Sequence, residues 1–242
     1  MIWTLKTRLK QLTTSGLHGV IPVADVAVLI PTLGRPQHIA PLLESLYDTT
    51  DNAVPVFLCS DYDYDVHNAI KKHGERIVFV KRLRTGRGDY ARKINVGYRN
   101  TTEPYMFLAA TDLKFHPKWL ENAMDRMNST VHVVGTNDLG NKEVMRGRHS
   151  THTLVSREYV DKYGTIDEPG KVLCEKYYHE YVDNEFVETA MSRNAFDIAL
   201  NSLVEHMHPF FNKGDWDASY RKWKTRTEFG EELFKRRRPL WT

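Results

Sequence analysis

Residues Tyr105–Pro117 read YMFLAATDLKFHP: a short apolar run, a threonine, a single carboxylate at Asp112 and a His-Pro pair. An apolar run of this length bounded by polar residues reads as a buried strand, and Pro117 suits the first turn of a following helix. The same unit recurs along the chain. VAVLI (26–30), VPVFLC (54–59), RIVFV (76–80) and VHVVG (131–135) are further apolar runs. Amphipathic stretches lie between them, among them HIAPLLESLY, DVHNAIKKHG, YARKINVGYRN and PKWLENAMDRMN. Strand and helix alternate, which predicts an α/β fold: one Rossmann-like domain with a mostly parallel central sheet flanked by helices. In such sheets ligands bind beyond the carboxyl ends of the strands. Asp112 stands in one of those loops, where it either caps the next helix or holds a ligand.

The bulk numbers agree with one compact unit. The chain has 242 residues, 41% of them hydrophobic and 27% charged, without repeats or low-complexity linkers. No apolar run approaches the roughly 18 residues needed to cross a bilayer, and MIWTLKTRLK lacks the apolar core of a signal peptide, so a cytoplasmic protein is expected. Cys59 and Cys174 have neither metal-ligand nor disulfide-framework spacing. A net charge of +3 does not announce nucleic-acid binding, but basic residues gather in KRLRTGRGDYARK and in the tail at FKRRR. The tail, with Phe229, Leu233 and Phe234, reads either as a helix packed on the domain or as an arm toward an anionic acceptor.

Each predicted strand is followed by a polar loop. PTLGRP, after the first, matches neither the dinucleotide-binding glycine fingerprint nor a P-loop. SDYDYD places Asp61 first after the second strand, with Asp63 and Asp65 suited to a helix N-terminus. The third loop carries Arg84, Arg87, Arg92 and Lys93 around a glycine-rich turn entering a helix, an arrangement that suits a diphosphate. Acids one loop away suit a divalent cation bridging carboxylate to phosphate, either Mn²⁺ or Mg²⁺. Late in the chain, His206 and His208 alternate along a predicted strand and would face one side, where imidazole can ligate Mn²⁺. Val182, Phe186 and Ala190 recur at helical spacing, leaving Asp183 and Glu185 at that helix's start.

The ordered set VAVLIPTLGRP, LCSD, RGDYARKINVGY, YMFLAATDLKFHPKWLENAM, HTLVSREYVDKYGTIDE and YVDNEFVETA, spanning Val26 to Phe210, resembles a family 2 glycosyltransferase of the GT-A fold. The resemblance implies transfer of a sugar from a nucleoside-diphosphate sugar, most commonly a uridine one, to an acceptor hydroxyl with inversion. It implies that Pro31, Thr32 and Asp61 hold the nucleoside, with Arg35 and Thr111 beside the donor. Gly88 through Asn95, with Arg84, Arg92 and Lys93, lie near the diphosphate. The family's Asp-x-Asp aligns its second acid with Asp112 and its first with Ala110, and His208 takes the place of a late metal-ligating histidine, with His206 the alternative. Asp183 falls in the slot of the base that takes the acceptor proton, and Glu180 is the neighbouring acid. The implied organisation is an N-terminal extension over 1–25, a transferase domain over 26–212 with a nucleotide-sugar part (26–135) and an acceptor part (136–212), and a basic helical tail over 213–242. A polysaccharide, a protein and a modified DNA base are all compatible as acceptor. Two rivals share the layout, a sugar nucleotidyltransferase and a non-catalytic nucleotide-sugar-binding protein.

Overall fold

β1 (Val26–Pro31), β2 (Ala53–Ser60), β3 (Arg76–Val80) and β4 (Tyr105–Leu108) form the parallel half of one sheet, in the order β3-β2-β1-β4. The computed structural model describes residues 25–81, 89–217 and 223–242, with backbone alone at 223–225. β1 is a continuous apolar run because both its faces are covered. Val26, Val28 and Ile30 pack with Ile39, Leu42 and Leu46 of α1 (Ile39–Tyr47), whereas Ala27 and Leu29 pack with Ala91 and Ile94 of α3 (Asp89–Arg99). Between these helices α2 (Tyr64–Lys71) contributes Val66 and Ile70 to the α1 side.

Beyond β4 the sheet continues as β7 (Thr153–Ser156), β6 (Val133–Asn137), β8 (Phe196–His206) and β5 (Leu113–Phe115). Here β4·β7, β7·β6 and β8·β5 run antiparallel, and β6·β8 runs parallel. The expected strand over 131–135 lies two residues later. Asn128 Oδ1 accepts from the backbone N–H groups of Thr130 and Val131, holding that stretch in a turn, and pairing starts at Val133 opposite Phe196. Pro117 is not in the first turn of α4 (Trp119–Met124): Lys118, left-handed at φ 65°, caps the helix and Pro117 precedes it.

The remaining helices are α5 (Lys142–Met145), α6 (Arg157–Lys162), α7 (Val182–Ser192) and α8 (Trp223–Arg237). The tail is packed, not an arm, because Phe234 and Trp241 are buried in the cluster that also holds Val182 and Phe186 of α7. Among the described residues no helix is long and apolar enough to cross a membrane.

Candidate active site

The turn after β4 carries Ala109 to Asp112 out of the sheet at its carboxyl end, and β5 then pairs Leu113 with His206. That register brings the end of β8 beside Asp112, and Met207 N–H donates to Asp112 O at 2.8 Å. Asp112 is buried, and its Oδ2 lies 3.5 Å from His206 Nε2 and 3.4 Å from Arg35 Nη1. Asp112 therefore caps no helix. Arg35 arrives there because Gly34 and Arg35 are both left-handed (φ 63°), a turn fixed by Gly34 N–H donating to Asp63 Oδ2 at 2.6 Å. Arg35 Nε also donates to Asp217 Oδ2 at 2.6 Å.

His206 is the last residue of β8, so the expectation that His208 continues the strand fails. His208 instead caps a 3₁₀ turn, its Nδ1 accepting from Phe210 N–H at 3.2 Å. His206 Nε2 thus faces Asp112 at 3.5 Å, and His208 is within electrostatic reach of the same carboxylate. Around His206, His152 and His208 approach edge-on at 5.0 and 4.9 Å between ring centroids. Burial, then the His206 charge, pushes both of their imidazoles down to about 4. His206 Nδ1 is buried without a hydrogen-bond partner. Among the described residues no three His, Cys, Asp or Glu side chains converge as a ready metal site. A carboxylate and an imidazole 3.5 Å apart nevertheless fit a shared cation, since two ligands at about 2.1 Å from one ion stand roughly 3 Å apart.

A second pole forms at the start of α7, where Asp183 occupies the first turn behind a left-handed Tyr181. Its Oδ1 accepts from Asn184 N–H at 3.0 Å and its Oδ2 lies 3.3 Å from His149 Nε2. Burial pushes the Asp183 carboxyl up, but His149 outweighs it and leaves the group below its ordinary value. The two poles share a neighbour in Tyr90. Its phenol points at Ala109 O at 3.5 Å, its ring meets His179 edge-on at 5.2 Å, and burial followed by the Asp183 and Asp112 charges raises its pKa. Asp112 and Asp183 therefore both lie within electrostatic reach of the Tyr90 phenol.

The family profile described as glycosyl transferase family 2 matches residues 27–187, a span that includes both carboxylates. The chain belongs to glycosyl transferase family 2. Among curated proteins the sequence has no match. Similar solved structures include the mannosyltransferase PcManGT from Pyrobaculum calidifontis in complex with GDP-Man and Mn²⁺, with TM-score 0.62 and 16% identity, over 91% of this chain and 66% of that one. Another is glucosyl-3-phosphoglycerate synthase from Mycobacterium tuberculosis in complex with Mn²⁺, UDP and glucosyl-3-phosphoglycerate, with TM-score 0.61 and 14% identity, over 88% of this chain and 80% of that one. These likenesses are of fold, and the fold is GT-A. The chain spans just under two thirds of the mannosyltransferase's length.

For this family 2 member, the remaining expected site residues divide by burial. Asp61 is exposed after β2, whereas Thr32, just after β1, and Thr111, next to Asp112 in the chain, are both buried, and Pro31 ends β1 half-buried. Lys93 is not an open anion contact. It is 1% exposed, with Nζ donating to Thr32 O at 2.7 Å and lying 2.7 Å from Asp89 Oδ2. Asn95 is likewise turned inward, its amide donating to Leu173 O and Glu175 Oε1 and accepting from the N–H groups of Val172 and Leu173. Arg92 donates to Lys81 O and Asp89 Oδ1. Arg84 and Gly88 lie outside the described residues. Of the neighbouring acids, Glu185 is buried under Arg237 and accepts from Tyr177 O–H, and Glu180 pairs with Arg226 at 3.0 Å. Neither Tyr90 nor His149 was singled out by the sequence reading. RGDYARK placed Tyr90 beside the anion loop, but a lone aromatic on a helix reads as core.

Proposed function

We propose that this chain is an inverting, cation-dependent glycosyltransferase that moves a sugar, a hexose by preference, from a nucleoside-diphosphate sugar to an acceptor hydroxyl. The observation that carries this reading is the pair of carboxylates across Tyr90, each with its own imidazole: Asp112 with His206, Asp183 with His149. Residues 26–135 supply the donor side and 136–212 the acceptor side. Asp112 and His206 would hold Mn²⁺ or Mg²⁺, and a bound divalent cation neutralises charge on a leaving diphosphate. Two of the similar structures are complexes with a nucleotide or nucleotide sugar and Mn²⁺, which supports the donor class; their GDP and UDP leave the base open, with uridine our first choice.

In the transfer itself, Asp183 takes the proton of the acceptor O–H. That oxygen forms the bond to the anomeric carbon as the bond to the diphosphate oxygen breaks, and nucleoside diphosphate departs. Asp183 Oδ1 is steadied by Asn184 N–H, so the carboxylate is oriented before the acceptor arrives. Arg35, 3.4 Å from Asp112 Oδ2, would steady the departing phosphates.

The test is Asp183→Asn, which keeps shape and removes basicity. Transfer should fall by roughly a hundred- to ten-thousand-fold while donor affinity stays within a few-fold. Proton NMR of the product reports its anomeric configuration. Retention would overturn the inverting mechanism, and release of pyrophosphate would favour a nucleotidyltransferase.

A further inference from the structure

His149 lies in the segment between α5 and β7, to which the sequence reading gave no role. Ser150 fixes that segment: its hydroxyl donates to His152 O at 2.7 Å and accepts from Thr136 N–H of β6 at 3.3 Å, and all three residues are buried. His149 is itself 9% exposed. Its ring faces Asp183 on one side and is within electrostatic reach of Asp138 and Glu188. Asp138 is fully buried, and three donors converge on it: Gly140 and Asn141 N–H on Oδ1, and Thr151 Oγ1 on Oδ2. His179 and Tyr90 are also within electrostatic reach of Asp183. Asp183 is therefore held at both oxygens, Oδ2 facing His149 at 3.3 Å and Oδ1 accepting from Asn184 N–H at 3.0 Å.

Resting on the reading of Asp183 as the base, we propose that His149 is a positioning residue of the transfer reaction: it anchors the Asp183 carboxylate through Oδ2 and supplies a positive neighbour that holds it, charged and in one orientation, for the acceptor hydroxyl. His149 does not touch the acceptor. It acts through Asp183 alone, much as a buried acid orients a catalytic histidine, with the two roles exchanged. A carboxylate on a rotatable Cα–Cβ–Cγ arm has many orientations, and the ion pair together with Asn184 N–H leaves few.

The electrostatics give the proposal a signature that packing lacks. Burial pushes the His149 imidazole down, and the Asp183 contact, then the Asp183, Asp138 and Glu188 charges, carry it above its ordinary value. Asp183 is displaced below its own. The Asp183 share of the pair's stabilisation is present above that acid's unfolded pKa and is lost as pH falls through its lowered folded value. The His149 share is present below the imidazole's unfolded pKa and is lost as pH rises through its raised folded value. The ion pair is complete only between those two limits. Removing the imidazolium removes the group that favours charged Asp183, so the carboxyl pKa must rise.

The experiment compares wild type, His149→Gln and Asp183→Asn, full length with Mn²⁺, using hydrolysis of UDP-glucose and GDP-mannose with water in the acceptor's place. His149→Gln should lower kcat about tenfold or more, move the acid limb of the kcat profile to higher pH, and leave donor affinity within about threefold. An acid limb and kcat equal to wild type, with only thermal stability lowered, would reduce His149 to a packing role and overturn the proposal. A second measurement needs no His149 variant. NMR titration of the His149 ring should show its pKa falling in Asp183→Asn, and an unchanged pKa would equally overturn it. Normal turnover by Asp183→Asn is a different failure, that of the base assignment itself.

Discussion

Arg237 ends α8 inside the protein, and replacing it should destabilise the fold out of proportion to its place in a basic tail. Its Nε and Nη2 donate to the two oxygens of Glu185 at 2.7 Å each, and Nη2 reaches Asp167 Oδ2 at 2.9 Å. The guanidinium side chain is 9% exposed and that of Glu185 3%. In Arg237→Met the stem is replaced by apolar volume, but Glu185 keeps only the Tyr177 O–H at 2.8 Å. A buried carboxylate stripped of its cation costs about 3–5 kcal/mol. At roughly 2–4 °C per kcal/mol for a chain of this size, the melting temperature should drop by about 6–20 °C. Circular dichroism melts and urea titrations with an unchanged m-value would measure it. The charge is the cause, so adding Glu185→Gln should recover at least half of the loss. A single variant within about 1 kcal/mol of wild type, or a double variant no better than the single, would refute the reasoning.

Two further outcomes follow from the same geometry. Asp112→Asn should sharply lower donor turnover and abolish stimulation by Mn²⁺ or Mg²⁺ with the melting temperature nearly unchanged; wild-type turnover in excess chelator would end the cation assignment. Gly135→Ala would set a Cβ 2.7 Å from Ser150 Cβ and 3.2 Å from Phe196 Cζ, so it should cost about 1–3 kcal/mol and, by shifting the segment that carries His149, lower turnover in the residual folded fraction; a melt within error of wild type would refute the steric account.

How much of this was legible depended on whether a residue's partners were near in sequence. β1 to β4 announced themselves because strands covered on both faces must be apolar throughout, and the loops after them could then be placed at one edge. The place of Asp112 was legible for that reason. Its partner His206 was less so, because their proximity rests on the pairing of Leu113 with a residue far along the chain, and alternation was extended one turn too far, to His208. Charge at a helix start misled in a different way. Lys93 and Asn95 have the composition of a phosphate site, yet they hold Thr32, Asp89 and the 172–173 backbone inside the protein, and composition does not report burial.

The two acids of α7 show what tertiary structure adds to a correct local pattern. Asp183 and Glu185 are about 200° apart around a helix, so one helix cannot aim both at the same place. Val182, Phe186 and Ala190 fix which stripe is buried, and the two acids stand on either side of it, so the stripe alone does not say which acid faces the candidate site. Arg237 decides it. It draws Glu185 onto α8 through a bidentate contact, and the same helix orientation sets Asp183 against His149. The basic tail is therefore tied to the proposed base without touching it: a helix that loses its grip on Glu185 also loses the angle that sets Asp183 against His149.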